Sequence, residues 1–263
     1  MKDSYSEAAM TDSNSRGRFV WYDLMTSDPK GAEAFYPKAA GWGTQPWSEM
    51  AYTMWTANGA PLGGVMELPK GVGAPPHWLA YVAVPDVDGA CSLAQSLGGK
   101  VLKPGADIPT VGRFAILEDP HGARFAVFTP ADRTPRPDEA PAVGEFSWHE
   151  LATRDYKQAF SFYEALFGWE RSAEHDMGPL GMYFIFKRNG RDLGGMFNIT
   201  PEMPMPPNWL HYVRVDSADA AAERVKANGG QILNGPMDVP GGDRIAQCVD
   251  PQGAAFAVHS KPA

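Results

Sequence analysis

The sequence predicts an α+β fold of four β-α-β-β-β modules arranged as two tandem halves, and three observations carry that prediction. Residues 20–42 (VWYDLMTSDPKGAEAFYPKAAGW) recur as residues 147–169 (SWHELATRDYKQAFSFYEALFGW), an offset of 127. Residues 62–66 (LGGVM) recur as 193–197 (LGGMF), and 75–79 (PPHWL) as 206–210 (PPNWL), both at an offset of 131, so a loop insertion of four residues separates the two blocks. Inside each half the strand-then-helix pattern starts twice, which divides the half into two modules of similar plan.

The chain of 263 residues divides into two domains of roughly 120–130 residues, each large enough to bury its own core. We expect a disordered lead-in over 1–17, domains over 18–129 and 145–263, and a linker over 130–144 whose stretch PADRTPRPDEAP suits an extended spacer. With 31 acids against 23 bases and no basic cluster, attraction to nucleic acid or an anionic membrane is not expected. No apolar run approaches the roughly 18–20 residues of a membrane span. The first seventeen residues lack the apolar core of a secretion signal, which points to the cytoplasm. Cys91 falls in an expected helix and Cys248 in an expected strand, and neither has a cysteine at its repeat position, so both read as buried free thiols. The expected partner is a small molecule, bound by a monomer or homodimer.

Residues 19–25 read as a strand, followed by Asp28 as helix N-cap and Pro29 as first helical residue. Ala32, Phe35, Tyr36 and Ala39 then recur at helical spacing. Pro37 removes a backbone donor and crowds the carbonyl of Glu33, so this helix should kink or end early. Its counterpart has Glu164 there and should be the more regular copy. Strands are expected around 49–57 and 64–68, with Asn58-Gly59 as the turn signal. The second module repeats the plan: a strand over 78–84, a helix with Ala90, Leu93, Ala94 and Leu97 on one stripe, and Gly98-Gly99 to close it. Short strands around 101–102, 113–117 and 124–128 finish the half, and Asp119-Pro120-His121-Gly122 between the last two fits a type I turn.

Three features then give a family resemblance. They are the Asp-capped helix ending in Phe-Tyr (Asp28 to Phe35-Tyr36; Asp155 to Phe162-Tyr163), the Gly-Trp after it (Gly41-Trp42; Gly168-Trp169), and the closing Asp-Pro-x-Gly-Ala turn (residues 119–123; 250–254). In these the chain resembles the vicinal-oxygen-chelate superfamily, which includes glyoxalase I, bleomycin-resistance proteins and extradiol dioxygenases. It is most similar to tandem two-domain glyoxalase-like proteins that carry a hydroxylase label. The resemblance covers about residues 18–129 and 145–260 and implies that paired modules wrap a concave sheet around a cavity, with helices outside.

Metal-dependent members of that superfamily take ligands from His in the first and fifth strands and Glu in the fourth and eighth. Carried over, the first-strand position falls on Trp21 and Trp148, the fifth on Leu79 and Leu210, and the eighth on Ala126 and Ala257. A divalent ion needs about three imidazole, carboxylate or thiolate ligands, and indole, leucine and alanine supply none. A substitute site on His149, His211 or His259 would have Tyr22, Ala80 and Phe128 as its repeat equivalents, which are poor ligands. No metal and no cofactor is therefore expected.

Strand alternation puts Trp21 and Asp23 on the face that carries ligands in relatives, and Trp148 and Glu150 likewise. An acid at the same place in both halves, beside a large aromatic, is the sharpest polar feature of the sequence. A buried carboxylate must be protonated or paired with a donor. Candidate donors are duplicated: Tyr81 and Tyr212 two residues past the fifth-strand position, and Arg113 and Arg244 at the heads of the seventh strands. Either the acid binds or deprotonates a ligand in a Trp-lined cup, or acid, tyrosine and arginine form a self-satisfied network. Trp78 and Trp209, after Pro-Pro, read as packing residues. The second half carries the more polar set, Glu150, Tyr212, Arg214 and His259, against Asp23, Tyr81, Ala83 and Phe128, and is the favoured cup if only one acts. Two functions follow: a metal-independent lyase or isomerase with Glu150 or Asp23 as base, or a non-catalytic binding protein similar to the bleomycin-resistance proteins.

Overall fold

The computed structural model describes residues 15–48, 51–69, 71, 73–134, 138–203 and 205–262. Most of the expected lead-in, the start of the strand expected at 49, and residues 135–137 of the linker lie outside the described residues. Two eight-stranded mixed sheets form, one from each half of the chain, with four α-helices among the described residues.

The first half contributes β1 (Phe19–Thr26), α1 (Pro29–Ala40), β2 (Gly43–Trp47), β3 (Tyr52–Ala57), β4 (Ala60–Glu67), β5 (His77–Ala83), α2 (Val87–Ser96), β6 (Lys100–Ile108), β7 (Gly112–Glu118) and β8 (Arg124–Pro130). The second half contributes β9 (Phe146–Thr153), α3 (Tyr156–Phe167), β10 (Glu170–Asp176), β11 (Met182–Arg188), β12 (Arg191–Asn198), β13 (Asn208–Arg214), α4 (Ala218–Ala227), β14 (Gln231–Asp238), β15 (Arg244–Val249) and β16 (Ala255–Ser260). Strand order is β2-β3-β4-β1-β5-β8-β7-β6 in one sheet and β10-β11-β12-β9-β13-β16-β15-β14 in the other. Within each module the first strand pairs in parallel with the last, as β1 with β4 and β9 with β12, and the rest are antiparallel hairpins.

Packing does not follow the halves. One compact unit comprises Met1–Val20, Ala80–Glu139 and His149–Trp209, and the other Trp21–Leu79, Ala140–Trp148 and Leu210–Ala263. The first unit thus takes its helices α2 and α3 from different halves, around a core that includes Leu117, Phe125, Tyr163, Phe167, Trp169 and Phe186. The second does the same with α1 and α4, where Arg224 donates to the carbonyls of Lys38 and Ala39.

The motifs of the resemblance meet inside these units. Asp119 Oδ1 accepts from the backbone of His121, Gly122 and Ala123, which folds the turn, and its Oδ2 accepts from Tyr163 Oη at 3.0 Å. Trp209 Nε1 then donates to that same Tyr163 oxygen at 3.0 Å. The other unit repeats the chain of donors, with Trp78 Nε1 to Tyr36 Oη and Tyr36 Oη to Asp250 Oδ2, both at 3.0 Å. The expectation that Trp78 and Trp209 pack holds, and each also satisfies its indole N–H, as a buried indole requires. Burial first, then the neighbouring aspartate charge, pushes both tyrosine hydroxyls well above their ordinary range, so they stay protonated and donate.

Pro37 neither shortens nor ends α1, which runs over 12 residues like α3. Only the last turn lies beyond the missing donor, and Phe35, Tyr36, Ala39 and Ala40 are buried on both sides of it, so packing outweighs the lost bond. Both helices close on a left-handed glycine, Gly41 at φ 77° and Gly168 at φ 71°. Residues 15–17 of the expected lead-in form a turn in which Gly17 donates to Ala83 O and accepts from Trp169 Nε1 at 2.7 Å. In the linker, Asp138 pairs with Arg18 and Arg188. Cys91 and Cys248 are both free and buried.

Candidate functional site

Period-two alternation along β1 sends Tyr22 and Leu24 into the core and turns Trp21 and Asp23 to the other face. There, Trp21 Nε1 donates to Asp23 Oδ1 at 3.0 Å and to Tyr52 Oη at 2.7 Å, while Tyr52 Oη donates to Asp23 Oδ1 at 2.6 Å. Indole, phenol and carboxylate close a triangle, and Asp23 is only 4 % exposed. Burial, and then the charge of Asp23, raises the Tyr52 hydroxyl far above its ordinary value, which keeps the proton on the phenol.

In the second half Glu150 takes the place of Asp23 and Tyr183 that of Tyr52, with Tyr183 Oη donating to Glu150 Oε2 at 3.0 Å. Both Glu150 and Tyr183 are half-buried, whereas Asp23 and Tyr52 are buried. The sequence reading missed these tyrosines, though the signal was present. Tyr52 and Tyr183 are 131 residues apart, the offset of the repeat, and each precedes by twelve residues the second glycine of Leu-Gly-Gly. A Cβ on Gly64 would lie 2.1 Å from Tyr52 Cζ, and one on Gly195 would lie 2.2 Å from Tyr183 Cζ. Each ring therefore crosses its neighbouring strand through a notch that only glycine leaves open. Gly64 and Gly195 are the register partners of Asp23 and Glu150, which brings phenol and acid to the same rung.

The arginines expected to serve these acids are placed elsewhere. Arg113 binds Asp88 through Nε and Nη2, both at 3.0 Å, and Asp107 through Nη1 at 2.9 Å. Arg244 repeats the arrangement with Asp219 and Asp238. Alternation explains the correction: Arg113 shares its strand face with Ala115 and Leu117, and Arg244 with Ala246 and Cys248, all fully buried in the core. Those arginines pin the first turn of α2 or α4 to an edge hairpin and raise their own already high pKa values through these carboxylates.

Of the remaining candidates, Tyr81 is buried with its ring 6.0 Å from Phe114, and Tyr212 is buried and accepts from Gln247 Nε2 at 2.9 Å. Arg214 donates to the carbonyl of Pro141 at 2.5 Å, and so reaches toward the linker. His259 lies between Ser147 Oγ and Asp243 Oδ2, each 2.8 Å from a ring nitrogen.

The donor chemistry at the superfamily's metal positions can be tested directly. Trp148, Leu210 and Ala257 meet in one apolar cluster with Tyr212, Ile245, Met237 and Val239. Three positions far apart in sequence converge as the resemblance implies, and they bring no atom able to ligate a cation. The alternative histidines do not replace them: His149 is buried and stacks on Phe19 at 3.6 Å, and burial among Tyr22 and Phe146 pushes His211 down to about 3. Among the described residues no three His, Cys, Asp or Glu side chains are grouped for a metal. The residues present do not fit the superfamily's ion.

Comparison with known proteins agrees with this architecture. The family described as Glyoxalase/Bleomycin resistance protein/Dioxygenase superfamily matches residues 145–258. The chain is 36% identical over 250 residues to "Putative glyoxylase CFP32" of Mycobacterium tuberculosis, covering 92% of this chain and 94% of that one. It is 29% identical over 260 residues to "Anthracycline biosynthesis protein DauV" of Streptomyces sp. (strain C5), covering 92% of each. In fold it resembles the Mn(II)-bound glyoxalase from Novosphingobium aromaticivorans, with a TM-score of 0.66 at 18% identity over 94% of this chain and 82% of that one. A variant of homoprotocatechuate 2,3-dioxygenase from B. fuscum gives a TM-score of 0.67 at 14% identity, over 95% and 73%. Sequence motifs, sheet order and these likenesses converge on one conclusion: the chain belongs to the glyoxalase/bleomycin resistance protein/dioxygenase superfamily.

Proposed function

We propose that this protein binds a small aromatic or oxygen-bearing metabolite, and that Glu150 is the acid that acts on it. The observation that carries the reading is the pair of Glu150 and Tyr183, a half-buried carboxylate held on one oxygen by a phenol. A half-buried carboxylate of this kind is placed to exchange a proton with a ligand in the cup. As a general base it would take a proton from the ligand, and the carboxylic acid so formed would return it to another atom of the ligand, in an isomerase, or to a leaving group, in a lyase. No metal is needed for that step. Asp23 occupies the equivalent place in the first half, and the two repeats are proposed as glyoxalase-like domains over 18–129 and 145–263.

A second reading is binding without chemistry. It is favoured by the apolar cluster of Trp148, Leu210 and Ala257, which suits the flat body of an aromatic ligand. The name of the Streptomyces relative makes an anthracycline the first probe. The chain is proposed as a cytoplasmic monomer or homodimer; no helix among the described residues is long and apolar enough to cross a membrane.

Mass spectrometry of the denatured protein identifies whatever small molecule copurifies, and that molecule serves as ligand. Under the enzymatic reading Glu150→Gln keeps ligand affinity within about twofold while turnover falls by about 10²–10⁴. A fall in affinity, with no turnover in the parent protein, selects the binding reading.

A further inference from the structure

His259 links a hydroxyl to a carboxylate. Ser147 Oγ lies 2.8 Å from its Nδ1, and Asp243 Oδ2 lies 2.8 Å from its Nε2. Burial alone would raise the Asp243 carboxyl, but hydrogen bonds from Lys261 and His259 outweigh it and hold that group below its ordinary value. An ionised carboxylate only accepts, so the ring proton of a neutral His259 stays on Nε2 and its Nδ1 lone pair faces the serine. The Ser147 hydroxyl then donates to Nδ1 in preference to Tyr212 O, which is farther away at 3.3 Å. A nucleophile, a base within reach of it and a third group that orients the base are the parts of an activated serine.

The fold does not require this trio. Its repeat positions in the first half are Val20, Gly112 and Phe128, yet Phe128 pairs with Ala83 and Phe114 as His259 pairs with Arg214 and Ile245. Directly opposed residues of antiparallel strands share a face. The imidazole therefore lies on the side of Ile245, which belongs to the apolar cluster of Trp148, Leu210 and Ala257. Arg214, half-buried beside it, gives one N–H to Pro141 O, and a guanidinium has others to give. Ser147 is itself half-buried rather than sealed in the core.

We propose that Ser147, His259 and Asp243 form a nucleophilic site that hydrolyses carboxylic esters with an apolar acyl group, an activity that does not rest on Glu150. Ser147 Oγ bonds to the carbonyl carbon as His259 Nδ1 takes the hydroxyl proton, and Arg214 supplies positive charge for the oxyanion. The bond to the alcohol oxygen breaks, that oxygen takes the proton from Nδ1, and the acyl group stays on Ser147. Water then attacks the acyl carbon and loses a proton to Nδ1, after which the bond to Oγ breaks and Oγ recovers the proton. Ester and water give acid and alcohol. Asp243 is the residue that positions the ring.

Full-length protein treated with a fluorophosphonate should carry the phosphonyl group on Ser147, read by peptide mass spectrometry, and thermally unfolded protein should not. With p-nitrophenyl butyrate as the ester, Ser147→Ala and His259→Gln should each lower turnover by about 10²–10⁴. Asp243→Asn should lower kcat by about 10²-fold with KM unchanged, because an amide N–H turned to Nε2 moves the ring proton to Nδ1. Asp243→Glu should recover part of that loss. A folded parent protein that leaves Ser147 unmodified or turns over no ester overturns the proposal, as does turnover that survives Ser147→Ala. An unchanged kcat in Asp243→Asn overturns the positioning role of the aspartate. Labelling of the parent protein decides the matter even where a variant fails to fold.

Discussion

Asp23 and Glu150 occupy the same rung of a duplicated strand, yet they differ by one methylene and in burial. The shorter acid stays down among Trp21 and Tyr52, and its Oδ1 takes two donors within 3.0 Å. The longer acid reaches a half-buried position, where Tyr183 holds one oxygen at 3.0 Å. The same glycine notch and the same phenol thus meet a buried carboxylate in one half and a half-buried one in the other. Duplication supplied two copies of one device, and side-chain length with local burial set what each can do.

Removing the acids should break the comparison most visibly. Asp23→Ala leaves the buried Tyr52 hydroxyl without its acceptor, while Trp21 Nε1 keeps Tyr52 Oη, and one unsatisfied buried group costs about 1–3 kcal/mol. Glu150→Ala, at a half-buried position, should cost under about 1 kcal/mol. Denaturant unfolding of both variants checks this, and equal losses would show that the two acids are equivalent struts.

A smaller effect comes from His211, whose counterpart in the first half is Ala80. Burial lowers its imidazole to about 3, below the ordinary histidine value, so the fold holds it neutral. The unfolded chain binds a proton there at higher pH than the folded one does. Stability from this group is therefore complete above about pH 6.5 and drains as pH falls toward 3. Melting at pH 5 against pH 7 should reveal a loss of about 2 kcal/mol that is flattened in His211→Phe. A parent protein and variant with the same acid sensitivity would remove His211 as the source.

The smallest effect is expected from Arg113→Gln and Arg244→Gln. Both side chains bridge exposed aspartates, and such pairs contribute little. Each variant should lower the melting temperature slightly and to the same degree, with ligand affinity unchanged. A loss of affinity from Arg244→Gln alone would return that arginine to the site.

Fold and strand face were legible in the sequence because repetition and alternation are local signals. The offset aligned the modules, and period two placed Trp21 with Asp23 and Trp148 with Glu150. The partners of the acids were less legible, since they come from β3 and β11, about thirty residues downstream, and the clue lay in a glycine inside an expected strand. Arg113 and Arg244 were misplaced because their chemistry was read without their strand parity, which sets them beside Ala115 and Ala246 in the core-facing row. Pro37 shows the same limit from the other side: the local rule allowed an early end to the helix, and tertiary burial of Tyr36 and Ala39 carries it on.

The chains of donors from tryptophan through tyrosine to aspartate carry one more consequence. Tyr36 comes from the first copy and Asp250 from the second, while Tyr163 comes from the second and Asp119 from the first. Each copy therefore holds half of both locks. The two are free to diverge in the acids of their first strands, as Asp23 and Glu150 have, but neither can shed its tyrosine or its turn aspartate without unseating a partner in its sibling.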